Sequence, residues 1–337
     1  MFTIQHKYLE RNTQKVCTEQ LYADAIIRFL YSSVREHAPT FFKLLTSAWS
    51  SKLLGFVNFE MGLGARLTGS RRFLRRMGVV FDECFEDPQS LNTVKKIFER
   101  KIRYWECRPM PEDPCMIVSP ADARMIAGSF SETSGMFLKG KFFDYKELFG
   151  RDKQDWLRVF YRGDFLICRL TPEKYHYNHL PVDGKVVDIY EIPGDYHSCN
   201  PGAVVVEATP YSKNKRVVTV IDTDVPAGTK IGLVAMIEVV ALMIGEIVQC
   251  YSEYRYDFPK SVERGMFLRK GFPKSLYRPG SSTTVIVFQK GLVTFADDVV
   301  RNMYVSGVNS RFSIGFGMPL VETDVQVRSC VAYKKRG

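Results

Sequence analysis

The sequence runs to 337 residues, 45% hydrophobic and 25% charged, so it belongs with folded globular chains large enough for one big domain or two ordinary ones. Its formal net charge of +10 favours anionic partners. No nucleic-acid-binding motif, zinc-finger spacing or continuous basic tail is present, which argues against nucleic acid and leaves an anionic membrane surface as the better match. Eight cysteines (17, 84, 107, 115, 168, 199, 250 and 330) show no C-x-x-C spacing and no pairing rhythm. In a chain this size they read as reduced thiols in a reducing, cytoplasmic compartment. The first residues carry no continuous apolar run, so no secretory signal is expected.

From residue 17 to 57 the apolar pattern is helical. Leu21, Ala25 and Phe29 recur every fourth position beside Tyr22, Ile26 and Leu30. Phe41, Phe42, Leu44, Leu45, Trp49, Leu53, Leu54 and Phe56 form a second, richer stretch, followed by Arg66, Arg71, Arg72, Arg75 and Arg76. Aromatic and apolar residues adjoining a basic cluster have the composition of an interfacial element on anionic lipid; a solvated helix face is the competing reading. Residues 90–102 predict a short amphipathic helix, and Pro109, Pro111 and Pro114 then end the helical region near residue 110.

Beyond that boundary the texture becomes short β-rich runs separated by Gly, Pro and Asp: 116–119, 165–170, 185–189, 204–206, 217–221, 231–240 and 283–288. Residues 231–250 are long and apolar enough to raise the question of a membrane span. Glu238, Glu246, Gly232 and Gly245 interrupt them, so two buried strands are expected instead. The fold class expected is α+β: residues 1–110 an N-terminal helical, membrane-associating region, and residues 111–337 a β-rich catalytic domain.

Three short stretches carry the candidate chemistry. Ser119-Pro120-Ala121-Asp122-Ala123 puts a carboxylate at the exit of a strand. Tyr175-His176-Tyr177-Asn178-His179 holds two of the five histidines; two imidazoles three residues apart suggest metal ligands, but no Cys, His or carboxylate cluster of suitable spacing completes a site, and no metal is expected. Pro279-Gly280-Ser281-Ser282 is a turn at the mouth of the 283–288 strand, where glycine leaves its carbonyl open to attack by a neighbouring hydroxyl. Asp, His and Ser are the parts of a base-activated hydroxyl; an ordinary turn and core histidines are the bland account of the same residues.

The ordered set SPAD, YHxxHxPxDG, P-G-x-x-x-S-x-N-P (Pro193, Gly194, Ser198, Asn200, Pro201), E-x-G-x-F (Glu263, Gly265, Phe267) and GSS before a V-I-x-F strand resembles phosphatidylserine decarboxylase proenzymes. The bacterial-type subfamily with an N-terminal helical region is the nearer likeness, and it extends roughly from Lys15 to Gly317. The resemblance implies that His179, oriented by Asp122, deprotonates Ser281, which cuts the Gly280–Ser281 bond and becomes a covalent pyruvoyl group. That group would form a Schiff base with phosphatidylserine and act as the electron sink for loss of carbon dioxide, with His176 serving this second stage. It also implies a larger and a smaller chain held as a heterodimer, associated peripherally with a membrane.

Four departures from the family pattern stand out. Ala123 replaces a glycine, Tyr177 replaces an arginine, residues 268–278 are extra and bring four basic side chains, and the register at the cut is double. Aligned through Gly280 the nucleophile is Ser281, the preferred reading; counted back from Phe288 it is Ser282. The departures motivate an alternative, a degenerate homologue that binds acidic phospholipid without processing. A soluble amino compound as substrate is a third reading, which the aromatic and basic N-terminal region argues against.

Overall fold

The computed structural model describes residues 4–21, 78–130, 142–206, 209–241, 246–279 and 282–335, with positions 24, 29, 31, 34–38 and 40 between the first two stretches. Among the described residues, the strands form one ten-stranded sheet and two three-stranded sheets. At the centre of the large sheet is β13 (Ser282–Phe288), a β-branched run buried at every position. It lies antiparallel between β9 (Leu233–Val240) and β5 (Asp164–Leu170). Outward from β9 come β8 (Arg216–Asp222), β7 (Gly184–Ile192) and β11 (Phe267–Leu268). On the other side, β5 is followed by β4 (Ala123–Ser129), β15 (Glu322–Val325), β1 (Lys7–Glu10) and β2 (Val16–Thr18).

One small sheet orders β10 (Ile247–Gln249), β12 (Pro273–Tyr277) and β6 (Tyr177–His179); the other orders β14 (Val293–Phe295), β16 (Cys330–Lys334) and β3 (Met116–Val118). The histidine segment therefore belongs to a sheet whose middle strand is β12. Pro273 to Tyr277 are all buried. Residues 273–277 are thus built into the core, and two of the four basic side chains of 268–278 are spent inside: Lys274 pairs with Glu238 at 2.6 Å, and Lys270 donates to the carbonyls of Asp113, Pro114 and Met116, whereas Arg269 and Arg278 pair with Glu253 and Glu246 at the surface.

The described residues after 111 are β-rich as expected, and within 231–250 they include strands β9 and β10, with 242–245 outside the described residues. No helix among the described residues is long and apolar enough to cross a membrane. The N-terminal part differs. Residues 7–18, inside the span expected to be helical, are strands that extend the large sheet, with β1 parallel to β15. Their charges explain this placement, because His6 and Glu19 flank the hairpin and bond Glu322 and Arg169 respectively. Positions 24, 29, 35–37 and 40 are helical, but Phe29 is 60% exposed, and Tyr22, Ala25, Ile26 and Leu30 of the expected face lie outside the described residues, as do the aromatic stretch 41–57 and the arginines at 66–76. The helix expected over 90–102 is shorter, α1 (Val94–Phe98), with the Thr93 hydroxyl accepting from the Lys96 amide at 3.2 Å; α2 (Tyr104–Cys107) follows.

Residues 204–206, expected as a strand, are instead helical, in α3 (Pro201–Val206). Proline stands at its first position, and Asn200 accepts from the Gly202 amide through Oδ1 at 2.8 Å and from Ala203 and Val204 through its carbonyl. That start signal outweighs the β preference of three consecutive valines.

Candidate active site

A cleft of about 500 Å³ opens between the β1 turn, residues 78–83, the end of α1, residues 173–175 and the segment after β15. Asp122 stands on its wall, at the entrance to β4. Both carboxylate oxygens meet the Arg108 guanidinium, at 3.0 and 2.8 Å, and Oδ1 also accepts from the Val327 amide at 2.8 Å. Burial alone would raise its pKa, but the arginine fork and the amide prevail and hold it below the usual carboxylate range. Arg108 is shared with Glu83.

His179 ends β6, and its backbone amide donates to Pro120 O at 2.7 Å, so the 119–122 turn and the histidine strand are in direct contact. Its side chain is satisfied at both nitrogens. Nδ1–H donates to Gly271 O at 2.8 Å, which leaves Nε2 to accept from the Tyr175 hydroxyl at 2.9 Å. Tyr175 in turn lies 2.8 Å from the Tyr256 hydroxyl, which bonds the Ile102 backbone. Tyr104 packs edge-on against the His179 ring at 4.7 Å. Burial pushes this imidazole down to about 3, so it is neutral.

The backbone contact thus sets Asp122 and His179 on adjoining segments, with their side chains committed to other partners. Arg108 and Tyr175, neither of which stood out in the sequence, take those bonds. Tyr175 could have been noticed as the residue opening the Y-H-Y-N-H run. Arg108, beside the proline-rich stretch, gave no such signal.

His176 behaves differently. Nδ1–H donates to Lys174 O at 2.7 Å, whereas Nε2 is buried with no hydrogen-bond partner. The Phe98 ring lies 4.7 Å away. Burial, with the nearby Arg100 charge, lowers this imidazole to about 3, so the buried Nε2 carries an unshared lone pair.

Gly280 and Ser281 lie outside the described residues. Ser282 opens β13, paired with Leu170 on one side and Val240 on the other, and its hydroxyl is buried without a partner. Tyr277 ties this strand head to the histidines: its amide donates to His176 O at 3.0 Å, and its hydroxyl donates to Thr283 O at 2.9 Å. Two residues along, on the same face as Ser282, Thr284 Oγ1 donates to Asn178 Oδ1 at 2.8 Å. Two buried polar atoms without partners, an imidazole nitrogen and a serine oxygen, therefore lie on segments that one tyrosine joins.

The family model described as phosphatidylserine decarboxylase matches residues 94–310. A protein of Fusobacterium nucleatum named phosphatidylserine decarboxylase proenzyme is 27% identical over 301 residues, covering 88% of this chain and 91% of the relative. Proteins of the same name from Vibrio campbellii and Ruminiclostridium cellulolyticum are 30% identical over 246 residues (69% and 82% of the two chains) and 26% identical over 291 residues (86% and 89%). With about two thirds of its length matched by the family model, this chain belongs to the phosphatidylserine decarboxylase family.

Proposed function

We propose that this protein is a self-processing decarboxylase that converts phosphatidylserine to phosphatidylethanolamine and carbon dioxide, using a pyruvoyl group made from its own serine. The observation that carries the reading is the pair of unsatisfied buried atoms, His176 Nε2 and Ser282 Oγ, on segments tied by Tyr277. A buried hydroxyl without a partner is unfavourable as it stands, and replacing it with a ketone removes the unpaired donor, so the strand head fits such a group. When formed, a pyruvoyl ketone supplies an electron sink for the pair released by decarboxylation.

The chain's own residues do the rest. Neutral His179 is the base for self-cutting, which requires Tyr175 to release Nε2. His176 Nε2, unprotonated at rest, takes up the proton that the substrate ammonium sheds and returns it to the product carbon. The scissile bond precedes Ser281 or Ser282; the unsatisfied Ser282 hydroxyl supports the second register, and the less hindered Gly280 carbonyl supports the first. After cutting, β13 and β15 remain inserted between strands of the larger piece, which accounts for a stable heterodimer. Exposed Tyr254 and Phe258, with Arg255 over Trp105 at 4.1 Å, suit peripheral contact with an anionic membrane.

A second reading, a phospholipid-binding homologue that does not process, is favoured by one arrangement: Asp122 bonds Arg108, and Tyr175 occupies His179, so among the described residues Asp122 does not bond His179. Mass spectrometry of active protein separates the two. Two pieces are expected, the smaller with a blocked N-terminus at residue 281 or 282; a single uncut chain of 38.7 kDa in active material overturns the first reading. Whichever of Ser281→Ala and Ser282→Ala abolishes cutting identifies the nucleophile. His179→Ala should block cutting, whereas His176→Ala should permit it and reduce turnover by roughly 10²- to 10⁴-fold.

A further inference from the structure

Four cations line the cleft: Arg11, Arg100, Arg108 and Lys174. Three of them are matched by carboxylates. Arg11 pairs with Asp298, Arg108 with Glu83 and Asp122, and Lys174 with Asp324. Arg100 is the exception. Only 5% exposed, it donates from Nη1 to Ile97 O at 2.9 Å and from Nη2 to Glu173 O at 2.7 Å, and among the described residues no carboxylate lies within ion-pair distance of it. Two of its five N–H donors are used, so the fork is fixed in direction while three donors and the full charge remain available.

A buried guanidinium without a counter-ion is costly unless something anionic shares its site. Arg100 is tied to the histidine segment: Phe98, two residues before it, packs on the His176 ring at 4.7 Å, and the Glu173 carbonyl that it holds precedes the Lys174 carbonyl that accepts from His176 Nδ1. Resting on the substrate reading above, we propose that Arg100 anchors the phosphodiester of the lipid headgroup and thereby sets substrate specificity. The cation absent at Tyr177 is then supplied from a different element, the end of α1. Tyr177 itself is buried in an aromatic cluster with Tyr104, Tyr175 and Tyr256.

The substrate carries two anions, and the chemistry selects between them. The carboxylate loses its charge as carbon dioxide leaves, so a cation holding it would stabilise the ground state more than the transition state and slow the reaction. A phosphodiester keeps its charge throughout, and a cation there adds binding without raising the barrier. Arg100 therefore suits the phosphodiester, and the carboxylate suits the apolar wall near Phe98.

Two water-soluble phosphodiesters test this by titration calorimetry on wild-type protein and Arg100→Gln: glycerophosphoserine, which has a carboxylate, and glycerophosphoethanolamine, which lacks one. Arg100→Gln should weaken both by about tenfold or more, the loss expected for a charge-assisted hydrogen bond, and should raise KM with kcat within about twofold of wild type. Self-cutting should proceed unchanged. Unaltered affinity for both probes overturns the proposal; loss confined to glycerophosphoserine assigns Arg100 to the carboxylate and overturns it equally.

Arg100→Lys, which retains charge without the fork, should lie between the two and covers a failure of Arg100→Gln to fold. If neither variant folds, the wild type alone decides. Inorganic phosphate should raise its melting temperature above that in chloride at equal ionic strength, and no difference overturns the proposal. The binding arms read Arg100 whether or not the protein decarboxylates anything. Absent turnover with intact phosphodiester binding would defeat the substrate reading and leave the anion site standing.

Discussion

Gly271 shows how much of the site rests on a single backbone position. Its φ of +80° is strained for any residue with a side chain, and a Cβ there would collide with the Met110 sulfur. Its carbonyl also accepts the Nδ1–H of His179, so the same residue fixes which imidazole nitrogen is left as an acceptor. Gly271→Ala should cost about 1–3 kcal/mol in denaturant melts and slow self-cutting, since displacement of the carbonyl frees the imidazole to turn. Adding Met110→Ala should restore the steric part only, because the positive φ remains; full restoration would show that collision, and not backbone strain, is the cost. The residue scale was partly legible. Asp122, His176 and His179 stand out as candidates because short polar motifs survive being read singly, but the groups that hold Asp122 and His179, Arg108, Tyr175 and Gly271, lie 14, 4 and 92 positions away. A linear reading has no distance with which to connect those.

At the level of elements, the surprise is β12. It lies within residues 268–278, whose Lys270 and Lys274 are basic yet turned inward. Glu238 on β9 explains the inversion: it accepts from Lys274 Nζ at 2.6 Å, from Ser275, from Asn178 at 3.2 Å and from Gln249 at 3.1 Å. This carboxylate had been recognised in the sequence as too costly for a membrane span, but the lysine that makes its burial tolerable lies 36 positions on. The network fastens the histidine strand β6, through β12 and Asn178, to the face of the large sheet that carries Thr284. Lys274→Met should therefore destabilise the protein by about 3–5 kcal/mol by leaving Glu238 buried and unpaired, and Lys274→Met with Glu238→Gln should recover more than half of that. Additive losses in this cycle, measured by chemical denaturation, would mean that the two side chains act independently. The valines of α3 teach the converse lesson. Local β preference was read correctly there, and an Asn-Pro helix start overrode it.

Over the whole molecule, the charges buried near the site bias stability towards neutral pH. His176 and His179 are both held near 3, against about 6.5 for an ordinary imidazole. Around His176 stand Arg100 and Asp122; around His179 stand Arg108, Arg328, Asp122 and Tyr175, and burial outweighs all of them. On unfolding, each ring regains its ordinary affinity and takes up a proton once the pH drops below about 6.5, so the unfolded state binds more protons than the native one and stability falls with acidification. Each histidine contributes a slope of up to about 1.4 kcal/mol per pH unit between pH 6.5 and 3. The carboxylates of Asp122, Glu19 and Glu322, all lowered in the native state, work in the same direction but only nearer pH 4 and below. The interval from pH 6 to 5 thus isolates the imidazoles. Across it the wild-type protein should lose about 2–3 kcal/mol by urea denaturation, and His176→Gln or His179→Gln should each remove about half of that slope. A flat profile from pH 6 to 5 would mean that the rings are reached by water. It would also mean that His176 Nε2 is not the dry, unprotonated acceptor that the proton transfer requires, so one titration tests stability and mechanism together.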